Sequence, residues 1–157
     1  MAPPTLACEA TMVVITGLPG SGKTTLAKQL APELSAVRFC PDDWMASAGI
    51  DLWDSDARAR IEAFQLELAT SMLSLGTSVI IEWGVWSRGE RDHLRETARA
   101  IGCRYELHHT TAPVEELWRR IVERDAEGRW GARPIERAEL DAWAAYYQCP
   151  EPDEFQS

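Results

Sequence analysis

Short apolar runs alternate with longer amphipathic stretches along the whole chain. Met12-Val13-Val14-Ile15 and Ala36-Val37-Arg38-Phe39-Cys40 read as strands, and Ser78-Val79-Ile80-Ile81 is a continuous apolar strand of the kind buried on both faces of a parallel sheet. Arg104-Tyr105-Glu106-Leu107-His108-His109-Thr110 alternates enough to be the last strand. Between the strands the period is helical. Leu26, Leu30 and Leu34 make one stripe on a helix from Lys23 to about Leu34, with Pro32 predicting an early stop or a bend. Met45 to Trp53 predicts a short helix and a loop. Asp54 is a plausible N-cap for a helix to about Leu75, closed by Gly76, with Ile61, Phe64, Leu68, Met72 and Leu75 on its buried face. Ser87-Arg88-Gly89-Glu90 is a capping box opening a helix through Leu94, Ala98 and Ile101 to Gly102. Pro113 opens another with Val114, Leu117, Trp118, Ile121 and Val122 in period, and Leu140, Trp143, Ala144 and Tyr147 mark a final helix. The alternation predicts an α/β three-layer sandwich with a mainly parallel sheet of four or five strands.

The joint between the first strand and first helix carries the chemistry. Gly17-Leu18-Pro19-Gly20-Ser21-Gly22-Lys23-Thr24, followed by Thr25, has the strand, glycine loop, helix order of a P-loop. Its glycines let successive N–H groups point at one oligophosphate, and the helix N-terminus adds positive partial charge. Lys23 would reach the β- and γ-phosphates of ATP, and the Thr24 hydroxyl would hold Mg²⁺. Lys23 and Lys28 are the only lysines among 16 basic residues, so a compact point charge stands where a phosphate loop needs one.

Composition narrows the partners. At 157 residues the chain is expected to be one domain, with a core at 11–148, a short extension at 1–10 and an acidic, proline-bearing tail at 149–157. Any acceptor site must then come from loops of that domain. A formal charge of −9 and a pI near 4.8 disfavour an extended nucleic-acid partner, though not a nucleotide or short oligonucleotide. Cys8, Cys40, Cys103 and Cys149 are scattered without zinc spacing and read as reduced thiols, mostly core fillers. No secretory leader or membrane span is legible, and a cytoplasmic location is expected.

Further candidates lie at strand ends and in one loop. Asp42 and Asp43 of Pro41-Asp42-Asp43-Trp44 follow the second strand, at the edge where α/β sheets bind ligands; the pair is either catalytic or a turn capping the next helix. Glu82-Trp83-Gly84-Val85-Trp86 stands just past the third strand. Glu127 to Pro134, glycine-bracketed and Arg-rich, reads as a mobile loop. With these placed, the chain from Val13 to about Tyr147 resembles the small P-loop kinases, an AAA-type ATP-binding domain. Closest in layout is the kinase domain of 5′-polynucleotide kinase, with zeta-toxin-type and chloramphenicol-phosphotransferase-type kinases more distant.

The resemblance implies a sheet order of 2-3-1-4, as in nucleoside-monophosphate kinases, and a helical Arg-bearing lid. It makes Asp42 the general base for a hydroxyl acceptor, and Arg124 and Arg129 the lid arginines that meet phosphate charge. Asp43 is then a cap or an outer-sphere Mg²⁺ partner. Glu82 orients the acceptor or a Mg²⁺-bound water, or is only a polar strand exit. Arg88 contacts the acceptor or nothing, and Arg119, Arg120 and Arg133 read as solvated faces. Where polynucleotide kinases carry an Arg for the acceptor's 3′-phosphate, this chain has Met45. Trp44, Trp53, Trp83 and Trp86 stand on the acceptor side as pocket or core, whereas Trp118 and Trp143 read as core. The expected activity is ATP- and Mg²⁺-dependent phosphoryl transfer to a small-molecule hydroxyl, on an antibiotic, sugar or nucleoside. The alternatives are a 5′-hydroxyl nucleic-acid kinase and a nucleotide-binding regulatory ATPase.

Overall fold

The structure is a computed structural model that describes residues 8–128 and 133–156. Four strands, β1 (Thr11–Thr16), β2 (Val37–Phe39), β3 (Val79–Gly84) and β4 (Arg104–His109), form one parallel sheet in the order β2-β3-β1-β4. The helices are α1 (Lys23–Leu34), α2 (Pro41–Ser47), α3 (Ser55–Ser74), α4 (Arg88–Ile101), α5 (Val114–Ala126) and α6 (Arg137–Tyr146).

Alternation along β1 explains the layering. Met12 and Val14 face one side with Phe39, Ile81, Leu73 and Leu94; Val13 and Ile15 face the other with Ile80 and Ala27 of α1. Asp54 caps α3 by accepting from the Ala57 amide at 2.9 Å, and the Ser87–Glu90 capping box is present. α1 runs on through Pro32 to Leu34, where Ser35 ends it in the left-handed region. β3 continues to Gly84, so Glu82 and Trp83 are strand residues rather than the start of a loop.

The face of α3 differs from the sequence expectation. Ala57, Gln65, Ala69 and Leu73 are buried, while Phe64, Leu68 and Leu75 are exposed, Leu75 by 85%. Two apolar stripes wind round this helix, and the small residues Ala57 and Ala69 give the stripe that can approach the sheet closely. Leu73→Ala is therefore expected to cost about 2–5 kcal/mol in urea unfolding. Leu75→Ala should stay within about 0.5 kcal/mol. Equal losses in the two variants would put the stripe of the sequence reading against the sheet instead.

Cys8 and Cys103 are joined in a disulfide, not held as two reduced thiols. The parallel pairing of Thr11 with Arg104 lays the lead-in to β1 beside that to β4 and leaves the two Cα atoms 4.8 Å apart, a proximity that a separation of 95 residues hides. Cys40 and Cys149 are free, the first buried and the second exposed. No described helix is long and apolar enough to cross a membrane.

The acidic tail is also docked. Its 3-10 turn, Pro152–Phe155, brings Glu154 onto Arg91 at 2.7 Å, with the two side chains only 2% and 1% exposed. Arg91 also donates to the carbonyls of Val85 (3.0 Å) and Trp86 (3.2 Å), so the tail braces the turn after β3.

Candidate active site

The loop between β1 and α1 is built as an anion cradle. Gly22 caps α1 at φ 100°, a left-handed conformation that glycine takes without strain, and no side chain caps the helix. Among the described residues the amides of Gly20, Gly22, Lys23 and Thr24 have no acceptor, the orphan donors expected of a helix N-terminus. Gly17, Leu18 and Ser21, all in the sequence-derived binding set, instead hold the loop's shape. The Gly17 amide donates to the Gly84 carbonyl at 3.2 Å, and the Ser21 amide to the Leu18 carbonyl at 3.2 Å. Leu18 sits in an apolar cluster, and the Ser21 and Thr110 hydroxyls pair at 2.8 Å. Arg120, expected on a solvated face, donates to the Gly20 carbonyl at 3.0 Å.

Lys23 lies under this loop with its Nζ on the Leu18 carbonyl at 3.0 Å. Burial lowers its ammonium to about 8, with Glu82 and Asp42 pulling upward and Arg124 downward. Thr24 beside it donates to the buried carboxylate of Glu82, which also accepts from Arg38 Nε at 2.6 Å. Hydroxyl and carboxylate are hard oxygen donors and suit Mg²⁺. Among the described residues no three metal-ligating side chains converge here, so an ion would take its remaining oxygens from nucleotide and water.

Asp42 and Asp43 occupy the first turn of α2 behind Pro41 and part company there. Asp43 points to Arg38 Nη2 at 2.6 Å and is not among the cleft-lining residues. Asp42 lines the cleft, with its Oδ1 ion-paired to Arg58 of α3. Arg58 and Arg38 were missed in the sequence. Arg38 interrupts an apolar strand, which was a usable signal; Arg58 needs the packing of α2 on α3 and left none.

P-loop and Asp42 open on one cleft of about 560 Å³. Its lining includes Pro19, Trp53, Trp83, Trp86, Arg124 and Glu62. Trp143, read as core, also lines it and contacts Trp86 (ring centroids 5.6 Å apart) and Trp53 (6.4 Å). Arg133 is exposed, as expected, and its guanidinium also sits 3.6 Å over the Trp53 ring and pairs with Glu139. Trp44 turns away, packing on Phe39 and Phe64, and Trp118 stays in the cluster with Leu117 and Ile121. Arg88 is not in the cleft lining; its guanidinium is engaged by Asp153, Glu151 and Asp92. Thr25 and Arg124 border a shallower depression of about 360 Å³ together with Gly20, Gly22 and Arg120. Arg129 lies outside the described residues.

The turn after β3 is held by side chains on both sides. Gly84 sits at φ 94° and Val85 at φ 40°, a left-handed position that a β-branched residue adopts only when its surroundings impose it. Thr16 Oγ1 lies 2.9 Å from both their carbonyls, Tyr147 bonds Thr16, and Arg91 holds Val85 from the other side. A Cβ on Gly84 would come within 2.9 Å of Trp86 Nε1, so the missing side chain is what lets Trp86 donate to the Gly17 carbonyl at 3.2 Å.

Comparison with known proteins gives the family and the fold. The AAA domain family matches residues 12–150. A cytidylate kinase of Ignicoccus hospitalis is 36% identical over 129 residues, covering 73% of this chain and 65% of its own; the chain thus spans less than two thirds of that relative. Among solved structures, a Chloroflexus aurantiacus protein proposed to be a kinase superposes with a TM-score of 0.75 at 23% identity, covering 92% of this chain and 82% of the other. A chain of the Pnkp1/Rnl/Hen1 RNA repair complex gives 0.76 at 21%, covering 91% and 45%. At these identities the structural likeness carries the fold.

Proposed function

Since the chain belongs to the AAA domain family, in its P-loop kinase branch, we propose that it moves the γ-phosphoryl group of ATP to a hydroxyl of a small molecule. One observation carries the reading: the unpaired loop amides with Lys23, the Thr24–Glu82 pair and the carboxylate of Asp42 open on a single cleft whose far wall is aromatic. The amides of Gly20 to Thr24 and the Lys23 ammonium take the β- and γ-phosphates, and Arg124 adds charge from α5. Thr24 and Glu82 are the residues that would hold Mg²⁺, which when bound neutralises phosphate charge. Asp42 keeps Oδ2 free of partners among the described residues while Arg58 fixes Oδ1, so the acceptor hydroxyl can lie against Oδ2. In the transfer the acceptor oxygen bonds to the γ-phosphorus as the bond to the β–γ bridging oxygen breaks. ADP leaves, and the hydroxyl proton passes to Asp42.

Against a 5′-hydroxyl nucleic-acid acceptor, Met45 is buried in the core and the nearby Arg58 is committed to Asp42. A regulatory ATPase would have no use for an aromatic acceptor wall. ADP release, measured with a panel of hydroxyl compounds and a 5′-hydroxyl oligonucleotide, separates the three. Slow background hydrolysis, strong stimulation by one class of small molecule and an acceptor KM nearly independent of salt are expected. Stimulation by the oligonucleotide alone, with affinity falling by orders of magnitude over a few-fold rise in salt, would favour the nucleic-acid kinase. No stimulation by any hydroxyl compound would leave a regulatory ATPase.

A further inference from the structure

The acceptor half of the cleft has two properties that together specify a ligand chemistry. The first is its wall. Trp53, Trp86 and Trp143 all line the cleft, with Trp143 in tilted contact with both Trp86 and Trp53. Their polar edges are largely spent inside the protein: Trp53 Nε1 donates to the Arg133 carbonyl at 3.0 Å and Trp86 Nε1 to the Gly17 carbonyl at 3.2 Å. The neighbouring Trp83 likewise donates to Gln65 at 2.8 Å. What Trp53, Trp83 and Trp86 can offer a ligand is therefore ring surface, not a hydrogen-bond donor. One face is already in such use, with the Arg133 guanidinium 3.6 Å over Trp53.

The second property is charge. At the acceptor end the described cation is Arg58, and it is held by Asp42 and the Leu52 carbonyl. Lys23 and Arg124 belong to the phosphate side. Glu82 is taken by Thr24 and Arg38, and Glu90 by the Ser87 capping box. Glu62, one turn beyond Arg58 on the same side of α3, lines the cleft with no hydrogen bond or ion pair among the described residues. Burial raises its carboxyl to about 7, with Glu90 and Asp42 adding to the rise and Arg58 opposing it. A half-buried carboxylate with no hydrogen bond or ion pair, in a cleft that aromatic rings also line, repels an anionic acceptor and is satisfied by a cation.

We propose that the acceptor is an amino alcohol, a small hydroxyl compound whose protonated or quaternary ammonium group is held by Glu62 and the Trp53, Trp86 and Trp143 faces. The inference rests on the phosphotransferase reading for the hydroxyl's fate; the ammonium group is not consumed and only places the hydroxyl against Asp42. Cation–π contact together with one charge-assisted partner gives a preference of about 10-fold or more over a neutral isostere.

The probe pair is choline and its neutral isostere 3,3-dimethylbutan-1-ol, with ethanolamine and propan-1-ol as a second pair. Each is titrated at pH 8, where Glu62 is ionised, by tryptophan fluorescence and by stimulated ADP release. At least one ammonium compound should bind about 10-fold more tightly than its neutral partner and stimulate ADP release. Glu62→Gln should abolish that preference, while Glu62→Asp restores part of it and the far-UV spectra stay unchanged. Equal binding of charged and neutral partners, or an ammonium preference that survives in Glu62→Gln, overturns the inference. Stimulation by neutral compounds alone does the same and leaves the phosphotransferase reading standing. Glu62-dependent ammonium binding without ADP release from any hydroxyl compound keeps the ammonium site and sinks the phosphotransferase reading.

Discussion

Lys23→Ala should abolish phosphoryl transfer and leave the fold intact. The residue's polar contact is one hydrogen bond to the Leu18 carbonyl at the start of α1, and the loop around it is shaped by Gly17, Ser21 and Arg120, which the substitution leaves in place. What disappears is the positive charge at the phosphate cradle, where charge is redistributed during transfer. The same ammonium makes nucleotide binding pH-dependent. Burial holds it at about 8 in the free protein, and bound phosphates favour its charged form. Above that pH, binding must take up a proton, and ATP affinity falls as pH rises. Calorimetry in buffers of different ionisation enthalpy should show proton uptake above pH 8 in the wild type and none in Lys23→Ala. Normal turnover in the variant would remove the P-loop from the mechanism.

Asp42→Asn is expected to lower kcat by about 10²-fold or more with little change in ATP affinity, because Asp42, in the proposed role of general base, would act in the transition state and not on the donor. The asparagine oxygen can still accept from Arg58, so the local geometry is kept, but the amide cannot take a proton. Asp43→Asn should do much less, since Asp43 is 60% exposed and bonded to Arg38 outside the cleft lining. Steady-state kinetics on both variants decide the matter. A dead Asp43→Asn beside an active Asp42→Asn would reverse the assignment within the pair.

Much of the fold and half of the site were legible in the chain. The P-loop was readable because backbone geometry and phosphate chemistry impose a local spacing on Gly17, Gly22, Lys23 and Thr24. The Asp54 and Ser87 caps were readable because capping is settled within four residues. Continuous apolar runs fix which strands are buried on both faces. The order β2-β3-β1-β4 came from family resemblance, since periodicity says nothing about which strand lies beside which.

Tertiary structure decided everything that depends on two distant segments meeting. The buried face of α3 followed Ala69 and Leu73, not Phe64 and Leu68, because close approach to the sheet rewards small residues and a sequence stripe carries no depth. Trp44 went to the core, and Trp143 packs on its core cluster while also lining the cleft, since the period of a helix gives a face but not its neighbour. Glu82 met Thr24 across 58 residues, Arg58 met Asp42 across 16, and the tail's Glu154 met Arg91 across 63. Hydrogen bonds and ion pairs act over a few ångströms in space and leave no trace at such separations. The chain's own order therefore determined what binds phosphate, while the packing of α2, α3, α4 and α6 around the strand ends decided what stands opposite it.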